Sequence, residues 1–216
     1  KDLLKVMEGQ GYTGLGYWSS GLKQFSANKP LLVPSDANGL KFRVQTSDVA
    51  VAMIEAMGAS AQKLAFKEVY GALQTGVVDG QMNPLSIIAM AKFQEVQKYL
   101  TLTNHLYAPY VWVMNPKFYQ SLPADLQGVV DDAARTAILA GRGLSRIIDA
   151  SDKGLPTLKA RMEVYVPSTA EMKQFRDATM PAAKKFMTDK YKAEGTKWVD
   201  AFYKAIGQAE KELGLR

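Results

Sequence analysis

Arg43 is placed by type and spacing to hold an anion. In Leu40-Lys41-Phe42-Arg43-Val44 the alternation sets Leu40, Phe42 and Val44 on one face of a strand and Arg43 on the other, near the strand's C-terminal end. Ligands of open α/β sheets bind at such ends, and a guanidinium fork gives a carboxylate two parallel hydrogen bonds. The alternation fits a surface or structural arginine as well, and periodicity by itself favours that plainer role. A second polar set, Gln81-Met82-Asn83, stands between the turn dipeptide Asp79-Gly80 and Pro84.

Enzyme chemistry lacks its parts. His105 is the one histidine and there is no cysteine, so no nucleophile–base pair, thiolate or metal set can be assembled. No G-x-S-x-G, H-E-x-x-H, P-loop or calcium-loop pattern occurs. Residues Gly9 to Gly14 satisfy G-x-G-x-x-G but follow a helix and open a strand, the reverse of a dinucleotide site. His105, at a strand end, reads as a structural hydrogen-bonder. Asp131 and Asp132 point about 100° apart on a helix and cannot converge. The expectation is a protein that is not an enzyme, with no cofactor and no metal.

The elements that must position Arg43 alternate between strand and helix. A helix tail over 2–8 leads into strands at 12–18 and 24–28, then the 40–44 strand. Ser47 offers a cap to a helix carrying Ala50, Met53, Ile54 and Met57 at helical spacing, and Gln62–Phe66 is the next strand. That is a βαβ unit, which implies a parallel sheet. A second cycle runs through the helix at 69–76 and the short Val77-Val78 strand, stopped at Asp79-Gly80. A helix from Pro84 to about Gln97 and two extended runs, 99–104 and 107–114, precede the longest helix, from Pro123 to about Ala150. A short strand at 163–166 and two helices, 169–192 and 195–213, close the chain.

Composition excludes less than the motifs do. The 216 residues are 47% hydrophobic and 22% charged, enough for one large domain or two small lobes. No run of 18 apolar residues occurs, so direct membrane insertion is not expected. The start, Lys1-Asp2-Leu3-Leu4, reads as cut into something longer, with any leader removed. Absence of cysteine suits an exported bacterial protein as well as a cytosolic one. The net charge of +6 gathers at Lys184, Lys185, Lys190, Lys192 and Lys197. A solvated helix face is the reading taken over a nucleic-acid patch, on the ground that no stacking aromatics interleave with these lysines.

Four segments carry a resemblance. They are Gly39-Leu40-Lys41-Phe42-Arg43-Val44, Ala65-Phe66-Lys67-Glu68-Val69-Tyr70, the run from Ala72 to Pro84 with Asp79-Gly80-Gln81-Met82-Asn83-Pro84, and the run from Phe93 to His105. In order and spacing they resemble the extracytoplasmic solute-binding proteins of TRAP (tripartite ATP-independent periplasmic) transporters. The resemblance implies a two-lobed α/β periplasmic binding protein-like fold with crossing strands and a long lobe-spanning helix. On that plan residues 1–20 and 109–148 belong to lobe I, and 21–108 and 149–216 to lobe II. Lobe I is incomplete, because the chain starts where the family's N-terminal third ends.

The implied function is to bind an organic acid through its carboxylate in an interlobe cleft, in the periplasm, and to deliver it to the TRAP permease subunits in the membrane. Arg43 maps onto the family's carboxylate-binding arginine, Asn83 onto an asparagine that contacts the solute, and Phe66 onto a phenylalanine that packs on it. Lys23 stands where the family often has a second arginine, and it offers a flexible point charge instead of a fork. Trp18, Tyr107 and Tyr110 fall in the crossing region, where they face the cleft or pack the core and hinge. The implied loop of Asp79-Gly80 and Pro84 holds Asn83 beside Arg43, with Gln81 satisfying the loop backbone. The alternatives are an incomplete fragment without binding activity and a basic interaction protein.

Overall fold

Ser47 starts the first helix of the βαβ unit, its hydroxyl accepting from the Ala50 N–H at 3.3 Å. In the computed structural model, which describes residues 2–214, the unit is complete. Strand β2 (Lys41–Val44) leads into α2 (Asp48–Glu55) and β3 (Ser60–Lys63), and β2 pairs with β3 in parallel, Arg43 opposite Gln62. Before it come α1 (Asp2–Glu8) and β1 (Thr13–Ala27). After it come α3 (Val69–Gln74), β4 (Gly80–Pro84), α4 (Leu85–Met90), β5 (Tyr99–Met114), α5 (Pro116–Ser121) and α6 (Ala124–Ala150). Then follow α7 (Leu155–Lys159), β6 (Glu163–Tyr165) and α8 (Thr169–Glu212). The six strands form one sheet in the order β3-β2-β4-β1-β5-β6.

The chain divides into two units. Unit 1 comprises the described residues up to Gln24 with Asn83–Glu95 and Asn104–Val164; unit 2 comprises Phe25–Met82, Val96–Thr103 and the described residues from Tyr165 on. Strands β1, β4 and β5 each contribute residues to both. Lys1 and residues 215–216, counted into the expected lobes, lie outside the described residues. Helix α4 belongs with unit 1, where the Ser86 N–H donates to the Asp149 carboxylate at 3.0 Å.

Unit 2 is built on Phe25, Phe42, Val44, Ile54, Met57, Met82 and Phe175, all buried in one cluster. The Phe25 ring meets Phe42 edge-on at 5.6 Å and Phe175 at 6.2 Å. Beside this core runs a polar chain that is itself buried. Gln81 Nε2 donates to Ser26 Oγ (2.8 Å), Ser26 Oγ donates to Gln97 Oε1 (3.0 Å), and Gln97 Nε2 donates to the Asp79 carbonyl (3.2 Å). In unit 1 the Trp18 and Trp112 rings stack at 5.2 Å, and Gly141 of α6 lets Trp18 approach the helix: a Cβ there would lie 2.5 Å from the indole.

Several expectations require correction. The Asp79-Gly80 pair does not end a strand; it begins β4, and Gln81, Met82 and Asn83 are strand residues between β2 and β1, not a loop at the sheet's edge. Asp79 ties this start to β2, its N–H donating to the Lys41 carbonyl and its carboxylate accepting from the Lys41 N–H, each at 2.7 Å. Gln81 accordingly donates to Ser26 instead of serving a loop. The two strands expected at 12–18 and 24–28 are one, since Gly21 at φ +93° bends β1 without ending it. The runs 99–104 and 107–114 are likewise one strand, bent at Asn104 (φ 46°). There the Gln24 side chain donates to Asn104 Oδ1 (2.7 Å) and accepts from its N–H (2.9 Å). The helix expected from Pro84 to Gln97 stops at Met90, ahead of a positive φ at Lys92.

The two expected C-terminal helices meet at Lys192 (φ 52°, ψ −129°), which interrupts α8. Aromatic side chains do interleave with its lysines. Lys190 lies 5.2 Å over Phe186 and 5.7 Å over Tyr191, Lys197 lies 5.1 Å over Trp198, and Lys184 lies 5.7 Å over Tyr203. These rings occupy the cations from within the protein.

Asp48, in the first turn of α2, accepts from Lys63 (2.5 Å) and from Lys190 on α8 (2.7 Å), and the two ammonium groups hold its carboxyl down to about 2 from 3.8. A carboxyl depressed in the folded state stabilises above its unfolded pKa, and the contribution is lost as pH falls from about 4 to 2. Asp48→Asn is expected to lower the melting temperature at neutral pH by about 1–3 °C, the scale of an exposed pair. The gap to wild type closes at the acid end of that window. Melting curves across the window check this, and a gap that persists there contradicts it.

Candidate functional site

Arg43 is 4% exposed although it lies on the face of β2 opposite Phe42 and Val44. Its Nε and Nη2 both donate to the carbonyl of Leu64, just past β3, at 3.0 and 2.8 Å. The chain then turns through a single 3₁₀ turn, Phe66–Glu68, because the Glu68 carboxylate accepts from the Ala65 N–H at 3.0 Å. That turn carries the Phe66 ring to 6.0 Å from the Arg43 guanidinium carbon, and Phe66 stays 45% exposed. Sequence expectation and structure therefore bring Arg43 and Phe66 together, in unit 2.

The remaining donors of Arg43 define what it can do. A guanidinium has five N–H groups. Two go to Leu64, which leaves the Nη1/Nη2 edge, the fork that accepts both oxygens of a carboxylate. Among the described residues no acid pairs with Arg43. Burial pulls its pKa below the ordinary value, yet a guanidinium remains charged at physiological pH. A buried cation with no protein counter-charge is costly, and a bound anion removes that cost.

The other expected site residues are in unit 1. Asn83 on β4 is 7% exposed and Lys23 on β1 is 3% exposed. Burial and the neighbouring Lys23 ammonium push the His105 imidazole down to about 3, so the histidine is neutral at physiological pH. Trp18 packs on Trp112 and Gly141. Tyr107 and Tyr110, on the outer half of β5, are 50% and 57% exposed. The Leu64 carbonyl that aims Arg43 was not among the expected residues: it is a backbone group, and no side-chain pattern announces it. Among the described residues no group of three acids, histidines or cysteines could hold a metal ion, and no helix is long and apolar enough to cross a membrane.

A family profile, bacterial extracellular solute-binding protein, family 7 (DctP), matches residues 1–190. The chain belongs to that family, the extracytoplasmic solute-binding proteins of TRAP transporters. The C4-dicarboxylate-binding periplasmic protein DctP of Vibrio cholerae serotype O1 is 40% identical over 189 residues, 88% of this chain and 57% of that protein. A TRAP periplasmic solute-binding protein of Shewanella oneidensis with bound succinate superposes with a TM-score of 0.83 at 40% identity, over 90% of this chain and 63% of that one. A TRAP protein of Desulfovibrio salexigens with bound orotic acid gives 0.89 at 32% identity, over 96% and 66%. The chain thus spans 57–66% of the length of these three relatives. The α/β periplasmic binding protein fold expected from the sequence is the fold of these structures.

Proposed function

We propose that this chain forms the acid-binding part of a periplasmic TRAP solute-binding protein, holding a small organic acid by its carboxylate on Arg43 for delivery to the permease subunits in the membrane. One observation carries the reading: Arg43 is buried with its Nη1/Nη2 fork uncommitted and no acid paired to it among the described residues. Relatives that bind C4-dicarboxylates and succinate support this solute class. Phe66 supplies an apolar wall beside the guanidinium, and Asn83 an amide that can donate or accept. Lys23 adds a second buried positive charge, suited to an acid with two carboxylates. Tyr107 and Tyr110 carry exposed phenol groups suited to polar groups of a solute, and Trp18, stacked on Trp112, offers an apolar ring.

Calorimetric titration with succinate, L-malate and orotate, each set against butane-1,4-diol, tests this. Binding of at least one acid about a hundredfold tighter than the diol is expected, the equivalent of roughly 2.7 kcal/mol for the charge-assisted pair. Affinity for none of the acids, or equal affinity for the diol, refutes it.

A further inference from the structure

Helix α4 starts directly after Asn83-Pro84, and it has no cap of its own. Pro84 occupies the cap position, where its side chain carries no acceptor. The Ser86 N–H is satisfied from elsewhere, donating to Asp149 Oδ1 at 3.0 Å. Asp149 stands one residue before the end of α6, where the helix's own carbonyls disfavour a carboxylate, so α6 itself does not account for an acid there.

Asp149 also lies close to the chain after α6 and to β1. The chain after α6 turns back so closely that a Cβ on Gly154 would lie 2.3 Å from the Asp149 carbonyl oxygen. Its Oδ2 borders Gly21: a Cβ there would lie 3.2 Å from Oδ2 and 3.5 Å from the Pro84 ring. Gly21 therefore sits near both the carboxylate and Pro84. A single acid accepts from the first turn of α4, two residues after Pro84.

We propose that Asp149 is a positioning residue for solute binding, acting through Asn83: it fixes Pro84 and the start of α4, and so the place and direction of the Asn83 amide. The inference rests on reading Asn83 as a solute contact. Asp149→Asn keeps an acceptor at the Oδ1 position and Asp149→Ala removes it, while neither touches Arg43.

The test is a set of titrations of the native protein with succinate, L-malate and orotate, following whichever binds tightest. Asp149→Ala is expected to weaken binding about tenfold, and Asp149→Asn to stay within about threefold of wild type. In an Asn83→Ala background, Asp149→Ala costs less than about twofold further, because groups that act through one another are not additive. A residue that only supports the fold loses the same factor in both backgrounds. Should the alanine protein not fold, Asp149→Glu, which keeps the charge and displaces the acceptor by one methylene, is measured in the same cycle. Wild-type affinity in Asp149→Ala, or the full tenfold loss on top of Asn83→Ala, overturns the proposal. If the wild type binds none of the acids, or Arg43→Ala binds as tightly as wild type, the acid-binding reading itself falls and takes the inference with it.

Discussion

Arg43→Lys is expected to weaken binding of whichever of succinate, L-malate and orotate binds tightest by about 10- to 100-fold while shifting thermal stability little. The lysine keeps a positive charge but replaces a planar fork by a point charge on a flexible stem. Two demands are met at once by the arginine: the Nε/Nη2 edge holds the Leu64 carbonyl, and the Nη1/Nη2 edge is left for a carboxylate. An ammonium has three donors without fixed directions, so it cannot satisfy both with the same geometry. Losing a charge-assisted hydrogen bond is worth about 1.5–3 kcal/mol, which is the stated range of affinity.

Arg43→Ala goes further. It removes the cation and also strips the Leu64 carbonyl of both donors, at a cost of about 1–3 kcal/mol of stability if no water replaces them. Titration and melting measured on the same two variants separate the roles. A lysine variant that binds the same acid within twofold of wild type would show that the fork has no part in the site. The structural role of Arg43 and the proposed binding role are not rivals, because they use different edges of one group.

That double role explains what the sequence could and could not yield. The alternation in Leu40–Val44 places Arg43 opposite the apolar face, and the helical stripe through Ala50, Met53, Ile54 and Met57 forces a βαβ unit; both periods are sustained and local, so they survive folding. The 27 residues of α6 are legible for the same reason. What was not legible depends on partners distant in sequence. Gly21 and Asn104 look like breaks, yet each is a bend in a continuous strand, and the side chain that bonds Asn104 is that of Gln24, 80 residues away. Asp79-Gly80 carries the composition of a turn, and tertiary packing overrides it. The lysines of α8 read as a bare charged face on the ground that no aromatics interleave with them, while in the structure Phe186, Tyr191, Trp198 and Tyr203 lie under them. In the site, side-chain types pointed to Arg43 and Phe66. The backbone carbonyl that orients the arginine and the acid that caps α4 left no signature in the pattern.

Gly80→Ala is expected to destabilise the protein by about 3 kcal/mol or more, the upper end for forcing volume into a packed site. A Cβ at position 80 would lie 2.5 Å from the Phe42 ring and 2.6 Å from the Ser26 carbonyl oxygen. Neither neighbour can yield cheaply. Phe42 is fully buried in the unit 2 cluster against Phe25, and Ser26 is fixed both by β1 and by the Gln81–Ser26–Gln97 chain. Gly128 on α6 is the control, since a Cβ there meets nothing within 4 Å, and Gly128→Ala should be neutral or stabilising by about 0.5–1 kcal/mol. Shortening the ring as well, in Gly80→Ala with Phe42→Leu, relieves the contact with the side chain but not the one with the Ser26 backbone, so only part of the loss is recovered. Urea unfolding of the three variants reads all of this, and a Gly80→Ala midpoint indistinguishable from wild type would mean that β4 can shift away from β1 and β2. Such a shift moves Gln81 and Asn83 with it. The close approach at Gly80 lies where β4 pairs in parallel with β2, Phe42 opposite Gly80 and Arg43 opposite Gln81.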